Sequence, residues 1–312
     1  MKNSQDFLHF SSRGDTNALP RTDLACESVN VPLAGDGAAY REYSVSGIAV
    51  SELFISGKEG EAKHQKKAGR YVTVHSSPIA ALDDGEAEAL TDAIASLLVS
   101  FTEGATKRRV SAKTKVLVAG LGNRFLSADS IGPRTADKIA VTAHMQNSPH
   151  RELFDLIGCS SISAVHPGVM GQTGIEAAAM IKGAADYARP DVIIAVDALA
   201  ARSARRLCAT VQLSDTGIEP GSGIGRRRCA VDRETMGYPV IALGVPTVID
   251  CATLIFDALE RYGKGLDRKR LSRIFKEEED LFVSPKDCDI VSEKISSLLA
   301  AAINRAFLCE GL

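Results

Sequence analysis

From residue 115 onward the chain repeats one pattern: a short apolar run, a turn, then a stretch of helical periodicity. The runs are 115–119, 161–165, 191–196, 209–213 and 239–244, and the helical stretches fall near 133–145, 174–187 and 246–262. A strand with one wet face alternates apolar and polar residues. These runs do not alternate, so both of their faces must be covered. Helices between them supply that cover, and the expectation is an α/β fold with a mainly parallel sheet flanked by helices. Upstream, Tyr43 to Ile55 and Arg70 to His75 read as strands of a small additional N-terminal β region. Asp83 and Asp84 can cap a helix whose Leu90, Ile94, Leu97, Leu98 and Phe101 share one face, and a last helix spans 288–307. The connection 57–70 is charged and its basic run reads as a solvated loop, while residues 1–35 are polar and aperiodic and read as an exposed tail.

Composition excludes several function classes. A net charge of −2 across 312 residues gives no basic domain for nucleic acid. The most apolar stretches, such as Val240 to Val248, are far short of a membrane span. The first ten residues hold no apolar h-region, so the expectation is a cytoplasmic protein. Its seven scattered cysteines, with no C-x-x-C pair, then read as reduced thiols.

Two aspartates stand where apolar runs break into turns. Asp129 follows the run 115–119 and the Gly120-Leu121-Gly122 turn, and Asp197 ends the run 191–197. If both runs are parallel strands of one sheet, both carboxylates lie at its carboxyl edge, where open α/β sheets place their sites. Two close carboxylates tend to share one proton and so supply an acid and a base, which points to hydrolysis. The alternatives are structural: Asp129 can cap a helix starting near Pro133, and Asp197 can cap a turn at Ala198. His166 also falls at a strand end, and Asp129, His166 and Asp197 together could hold a divalent metal. Arg202, Arg205, Arg206 and arginines 226–228 are solvated charges or contacts for an acidic substrate. Gly120-Leu121-Gly122 lacks the third glycine of a dinucleotide fingerprint, because Phe125 stands there. The glycines of 217–225 lack the Lys-Ser/Thr ending of a phosphate loop.

Several stretches together resemble the spore germination protease family, endopeptidases that degrade small acid-soluble spore proteins. They are Arg21 to Glu27, Gly120 to Asn123 with Asp129 and Gly132-Pro133, His166 to Gly174, Asp197 to Ser203, Asp215 to Gly225, Gly244 to Asp250 and Val283 to Asp287. The resemblance implies a fold like that of the hydrogenase maturation proteases, no cofactor, and a catalytic aspartate pair that carries onto Asp129 and Asp197. It further implies an inactive homotetrameric precursor in the forespore and spore core that removes its own N-terminal segment. Thr22-Asp23-Leu24-Ala25 with Glu27 resembles the family's substrate sequence, an acidic residue before a large apolar one. Self-cleavage is therefore expected between Asp23 and Leu24, giving a propeptide of 1–23 and a single protease domain of 24–312. Ser127 in place of a threonine, Arg226 in place of an asparagine and Cys26 in place of a small residue depart from the family pattern. The other readings are a metal-dependent endopeptidase of hydrogenase-maturation type built on Asp129, His166 and Asp197, and a non-catalytic nucleotide-binding module.

Overall fold

The computed structural model describes residues 22–27, 37–147, 152, 158–221, 228–262 and 281–308. Its strands are β1 (Ala38–Val45), β2 (Ile48–Ile55), β3 (Gly69–His75), β4 (Lys115–Gly120), β5 (Ser161–Val165), β6 (Val192–Ala201), β7 (Thr210–Ser214), β8 (Val240–Asp250) and β9 (Phe282–Val283). All lie in one sheet of order β1-β2-β3-β7-β8-β6-β4-β5, with β9 paired to β8. The main helices are α1 (Gly57–His64), α2 (Asp84–Thr106), α3 (Ile131–Asp137), α4 (Ala177–Ala188), α5 (Cys251–Tyr262) and α6 (Cys288–Phe307), besides shorter turns. The sheet is mixed. Strands β5, β4, β6 and β8 run parallel, and β1, β2, β3 and β7 extend the β8 side antiparallel.

The expected run 209–213 is therefore a strand, but not a parallel one. Only residues 202–209 separate β6 from β7, too few for the crossover helix that would return the chain parallel to β6 on the far side of β8. The stretch 43–55 is likewise broken, because Ser46 and Gly47 (φ 50 and 79) form a two-residue hairpin turn between β1 and β2. The connection 57–70 holds α1 instead of an open loop.

The parallel core reads as expected for strands buried on both sides. Val116 and Val118 of β4 join Ile194 and Val196 of β6 against α2 and α6, where Leu90, Ile94, Leu98, Ile295, Leu299 and Ile303 pack. Leu117, Ala119, Ile193 and Ala195 face the other way, onto Ala178, Ile181 and Ala185 of α4. Each fully buried Leu or Ile contributes roughly 1.5–3 kcal/mol. At the N-terminus of α2 the Asp83 carboxylate accepts the Glu86 N–H at 2.8 Å, and Glu86 accepts the Asp83 N–H at 3.1 Å, a reciprocal cap.

Strand lengths place the site. β4 stops at Gly120, paired with Val196, while β6 continues to Ala201 because Ala198-Leu199-Ala200-Ala201 is as apolar as what precedes it. Asp197 is thus inside a strand, not at its end, yet it lies one residue beyond the last β4 pair. The chain leaving β4 turns back as α3, which rests directly on β4. A Cβ at Gly132 would lie 2.1 Å from Leu121 O and 2.5 Å from Val196 O, and one at Gly120 would lie 2.2 Å from Gly132 O. Gly132→Ala should therefore push α3 off the sheet and destabilise the fold by about 1–3 kcal/mol or more, measured by urea unfolding. A variant within about 0.5 kcal/mol of the parent would contradict this packing.

Candidate active site

Asp129 ends a single 3₁₀ turn, Ser127–Asp129, between β4 and α3. The turn is fixed from three sides: Thr247 Oγ1 donates to Ala128 O at 2.6 Å, and Ser127 O accepts from Ser292 Oγ at 2.8 Å and Ser130 Oγ at 2.9 Å. The Asp129 carboxylate accepts the Asn123 N–H at 2.8 Å. Gly122 has φ +111, and a Cβ there would lie 2.1 Å from Asp129 O. The glycines of 120–122 thus serve close packing of the Asp129 turn and α3, not a nucleotide. Ser130, not Asp129, occupies the N-cap position of α3, and it makes no side-chain capping bond. The capping alternative for Asp129 fails.

Asp197 is 6% exposed and accepts the Ala198 N–H at 2.9 Å. Burial holds its carboxyl well above the usual aspartate range. The neighbouring Asp129 charge and, more weakly, Asp23 push the same way, against the Ala198 N–H and Arg228. Burial also raises Asp129, opposed by the Asn123 N–H and Arg228. The two carboxyls are close enough for the charge of one to bear on the other, so they titrate as a coupled pair.

The expected exposed tail is not exposed where it is described. Residues Thr22 to Glu27 lie docked on the end of β6. The Asp23 N–H donates to Ala200 O at 2.9 Å, and the Asp23 carboxylate accepts the Ala200 N–H at 2.8 Å, beside the β6–β8 register shift at Leu199/Ala200. Leu24, fully buried, packs with Leu199, Ala201 and Ile249, and Ala25 packs with Leu53, Ile55 and Tyr71. The Glu27 carboxylate accepts from the Arg202 N–H (2.7 Å), the Ser203 N–H (3.0 Å) and Thr22 Oγ1 (2.6 Å), with Arg206 Nε at 3.3 Å. A groove of about 1220 Å³ borders the segment, with Asp23, Lys66, Leu199, Gln212 and Gly244 among its walls; Asp129 and Asp197 do not line it.

The sequence-selected residues do not all meet. Asp129 and Asp23 lie near enough to Asp197 for their charges to bear on it. His166 does not: its Nε2 lies 3.2 Å from Asp137 Oδ1, and Asp137 is also paired with Arg124. Among the described residues no three His, Cys, Asp or Glu side chains are grouped to hold a metal, so the Asp129, His166 and Asp197 triad is not assembled. Arg202 grips Asp257 through Nε at 2.9 Å, and Arg206 serves Glu27. Arg226, Arg227 and residues 222–225 lie outside the described residues. Two groups at the docked segment escape a sequence reading. Lys66 is hidden in a run that looks solvated. Gln212 is the amide inside the apolar run 209–213, and a polar residue buried there is the signal that could have found it.

Comparison with known proteins agrees with the resemblance. The germination protease family model matches residues 31–278. Germination proteases from Caldanaerobacter subterraneus subsp. tengcongensis and Priestia megaterium are 34% and 38% identical over 310 and 258 residues. These alignments cover 92% and 80% of this chain and 93% and 68% of the relatives. Among solved structures, the NiFe hydrogenase maturation protease HycI from Thermococcus kodakarensis KOD1 aligns over 67% of this chain and 99% of its own, with a TM-score of 0.34 and 15% identity, too slight a likeness to argue from. The sequence matches make this chain an endopeptidase. It belongs to the germination protease family.

Asp197→Asn keeps an oxygen for the Ala198 N–H and removes the buried charge. A carboxyl whose folded pKa is raised supports the fold fully below its unfolded value, and that support is lost as pH rises through the folded value. The Asn variant should therefore melt at least about 2 °C above the parent at neutral pH, the gap closing as pH falls to the ordinary aspartate range. Calorimetry across that range checks it, and a variant less stable than the parent at neutral pH would contradict the burial argument.

Proposed function

We propose that this chain is an endopeptidase that works through the Asp129 and Asp197 pair, with no cofactor. It is made as a zymogen that cuts its own Asp23–Leu24 bond, and it acts in trans on small acid-soluble spore proteins. The observation that carries this reading is the docking of Thr22 to Glu27 as a peptide beside Asp197. An acidic residue bonds to strand β6, a large apolar residue fills the pocket of Leu199, Ala201 and Ile249, and a second acid is held by the Arg202 and Ser203 amides. A substrate with the same pattern would use the same contacts. The homotetramer, the spore-core location and the identity of the substrate rest on the family resemblance.

The chemistry follows from the unequal carboxyls. Asp129, with the Asn123 N–H and Arg228 favouring its charged form, is the base that takes a proton from water. Asp197, held protonated by burial and by Asp129, is the acid that gives its proton to the leaving amine. The docked segment also supplies inhibition: residues 22–27 occupy the ground a substrate must take. Cleavage after Asp23 is then more than removal of a tail, because Leu24 to Glu27 must leave their pockets before a substrate enters. The metal-dependent reading would need His166 to abandon Asp137.

The full-length precursor held at mildly acid pH should yield a new N-terminus at Leu24 by mass spectrometry, and neither Asp129→Asn nor Asp197→Asn should do so. The rate should survive a chelator and change less than about tenfold in His166→Ala. Activity abolished by chelation and restored by zinc or manganese would establish the metal-dependent reading instead. An unchanged N-terminus in a fully active enzyme would rule out self-cleavage.

A further inference from the structure

Two side chains outside the aspartate pair converge on one backbone atom. The carbonyl oxygen of Asp23 accepts from Lys66 Nζ at 3.0 Å and from Gln212 Nε2 at 3.1 Å. Lys66 Nζ also donates to Thr22 O at 3.2 Å. The other end of the Gln212 carboxamide accepts the Ala25 N–H at 2.6 Å. One planar group therefore holds the acyl side of the 23–24 bond with its nitrogen and the chain beyond that bond with its oxygen.

The scaffold that presents these groups is the one that carries the aspartates. Gln212 on β7 pairs with Gly244 on β8, and Gly244 pairs with Asp197 on β6, so the amide and the carboxyl sit in one cross-sheet row. Gly244 leaves room for Leu199, whose side chain a Cβ there would approach to 2.6 Å, and Leu199 walls the Leu24 pocket. Lys66 follows Gln65, the left-handed residue (φ 52) that ends α1. The residue as a whole is part-buried, but its ammonium is desolvated. That burial pushes its pKa down, while Asp23 and Glu219 push it back up. A desolvated cation is costly to keep, and this one directs its bonds at two neutral carbonyls of an irregular segment.

We propose that Lys66 and Gln212 are catalytic residues: they hold the carbonyl oxygen of the residue before the scissile bond and stabilise the charge that develops on it. This rests on the reading that Asp23–Leu24 is a bond the enzyme cuts, and it extends to any peptide laid in the same groove. As water adds, its oxygen bonds to the Asp23 carbonyl carbon, its proton goes to Asp129, and the carbonyl π pair moves onto the oxygen between Lys66 and Gln212. When that pair returns, the C–N bond breaks and the Leu24 nitrogen takes the proton of Asp197. One proton remains on the aspartate pair, Lys66 stays protonated throughout, and the products are a carboxylic acid and an amine. Polarising the carbonyl thus falls to Lys66 and Gln212, which frees the protonated aspartate for the leaving group. Fixed donors about 3 Å from a developing oxyanion are among the stronger contributions an enzyme site makes.

The test uses the full-length chain processing itself, and the processed enzyme cutting a synthetic peptide with the sequence of residues 18–30. Lys66→Met should lower kcat by ~10²–10³-fold and Gln212→Leu by at least about tenfold, with KM within about threefold of the parent. Lys66→Arg should recover part of the loss. A second measurement needs no turnover. The processed enzyme should bind an uncleavable analogue with a hydroxymethylene in place of the Asp23 carbonyl more tightly than one with a methylene there, and Lys66→Met should erase most of that difference. Lys66→Met with unchanged kcat, or one that binds the two peptides with the parent's full discrimination, overturns the proposal. Failure of the underlying reading looks different: Asp129→Asn still cuts, or the cut falls away from Asp23–Leu24, whatever residue stands at 66.

Discussion

The burial of Asp197 beside Asp129 is the interaction on which the rest of this structure depends. It exists because β6 continues past the point where β4 ends, so that a carboxyl within a buried strand meets a turn instead of a neighbouring strand. That turn can come so close only because Gly120, Gly122 and Gly132 carry no Cβ. Hydroxyls from β8 and α6 then hold it by its carbonyls. Backbone packing, not a dedicated side-chain bridge, sets the geometry of the pair. The energetic consequence is a buried carboxyl that costs stability at neutral pH, which the proposed mechanism uses as its acid.

In the proposed function the docked segment ties that chemistry to regulation. Residues 22–27 put an acid on β6, a large apolar residue against β6 and β8, a small one against β2 and β3, and a second acid on the connection after β6. Carboxylates held by backbone amides discriminate poorly between Asp and Glu, whereas the apolar pocket at Leu24 discriminates by size. Under the proposed function, an inhibitor that is also a template for the substrate accounts for a propeptide boundary that coincides with the recognition sequence. The same proposal makes departure of Leu24 to Glu27 a step of activation in its own right.

Much of this was legible in the sequence, and what was not has physical causes. The unbroken apolar runs identified the buried parallel strands, since β4 and β6 are covered on both faces. Asp129 and Asp197 stood out because a carboxylate against an apolar run is costly without a task. Strand direction was not legible for β7, because periodicity reports burial and not orientation. The end of β6 was misplaced because Asp197 looked like a terminus, although the apolar residues after it continue the strand. Lys66 is not legible because a lysine in a run of charges reads as solvated; the docked segment, far from it in sequence, supplies its carbonyl partners. His166 was drawn to the site by its position at a strand end, but the nearer carboxylate of Asp137 takes it.

The central claim is that the two aspartates titrate as one buried pair. Infrared or carbon-13 NMR titration of the aspartate carboxyls in the intact chain tests it directly. The account predicts one carboxyl that stays protonated well above the ordinary aspartate range, whose signal disappears in Asp197→Asn, and a second that shifts when Asp197 is replaced. Both carboxyls ionising together in the ordinary range, with neither responding to loss of the other, would contradict it.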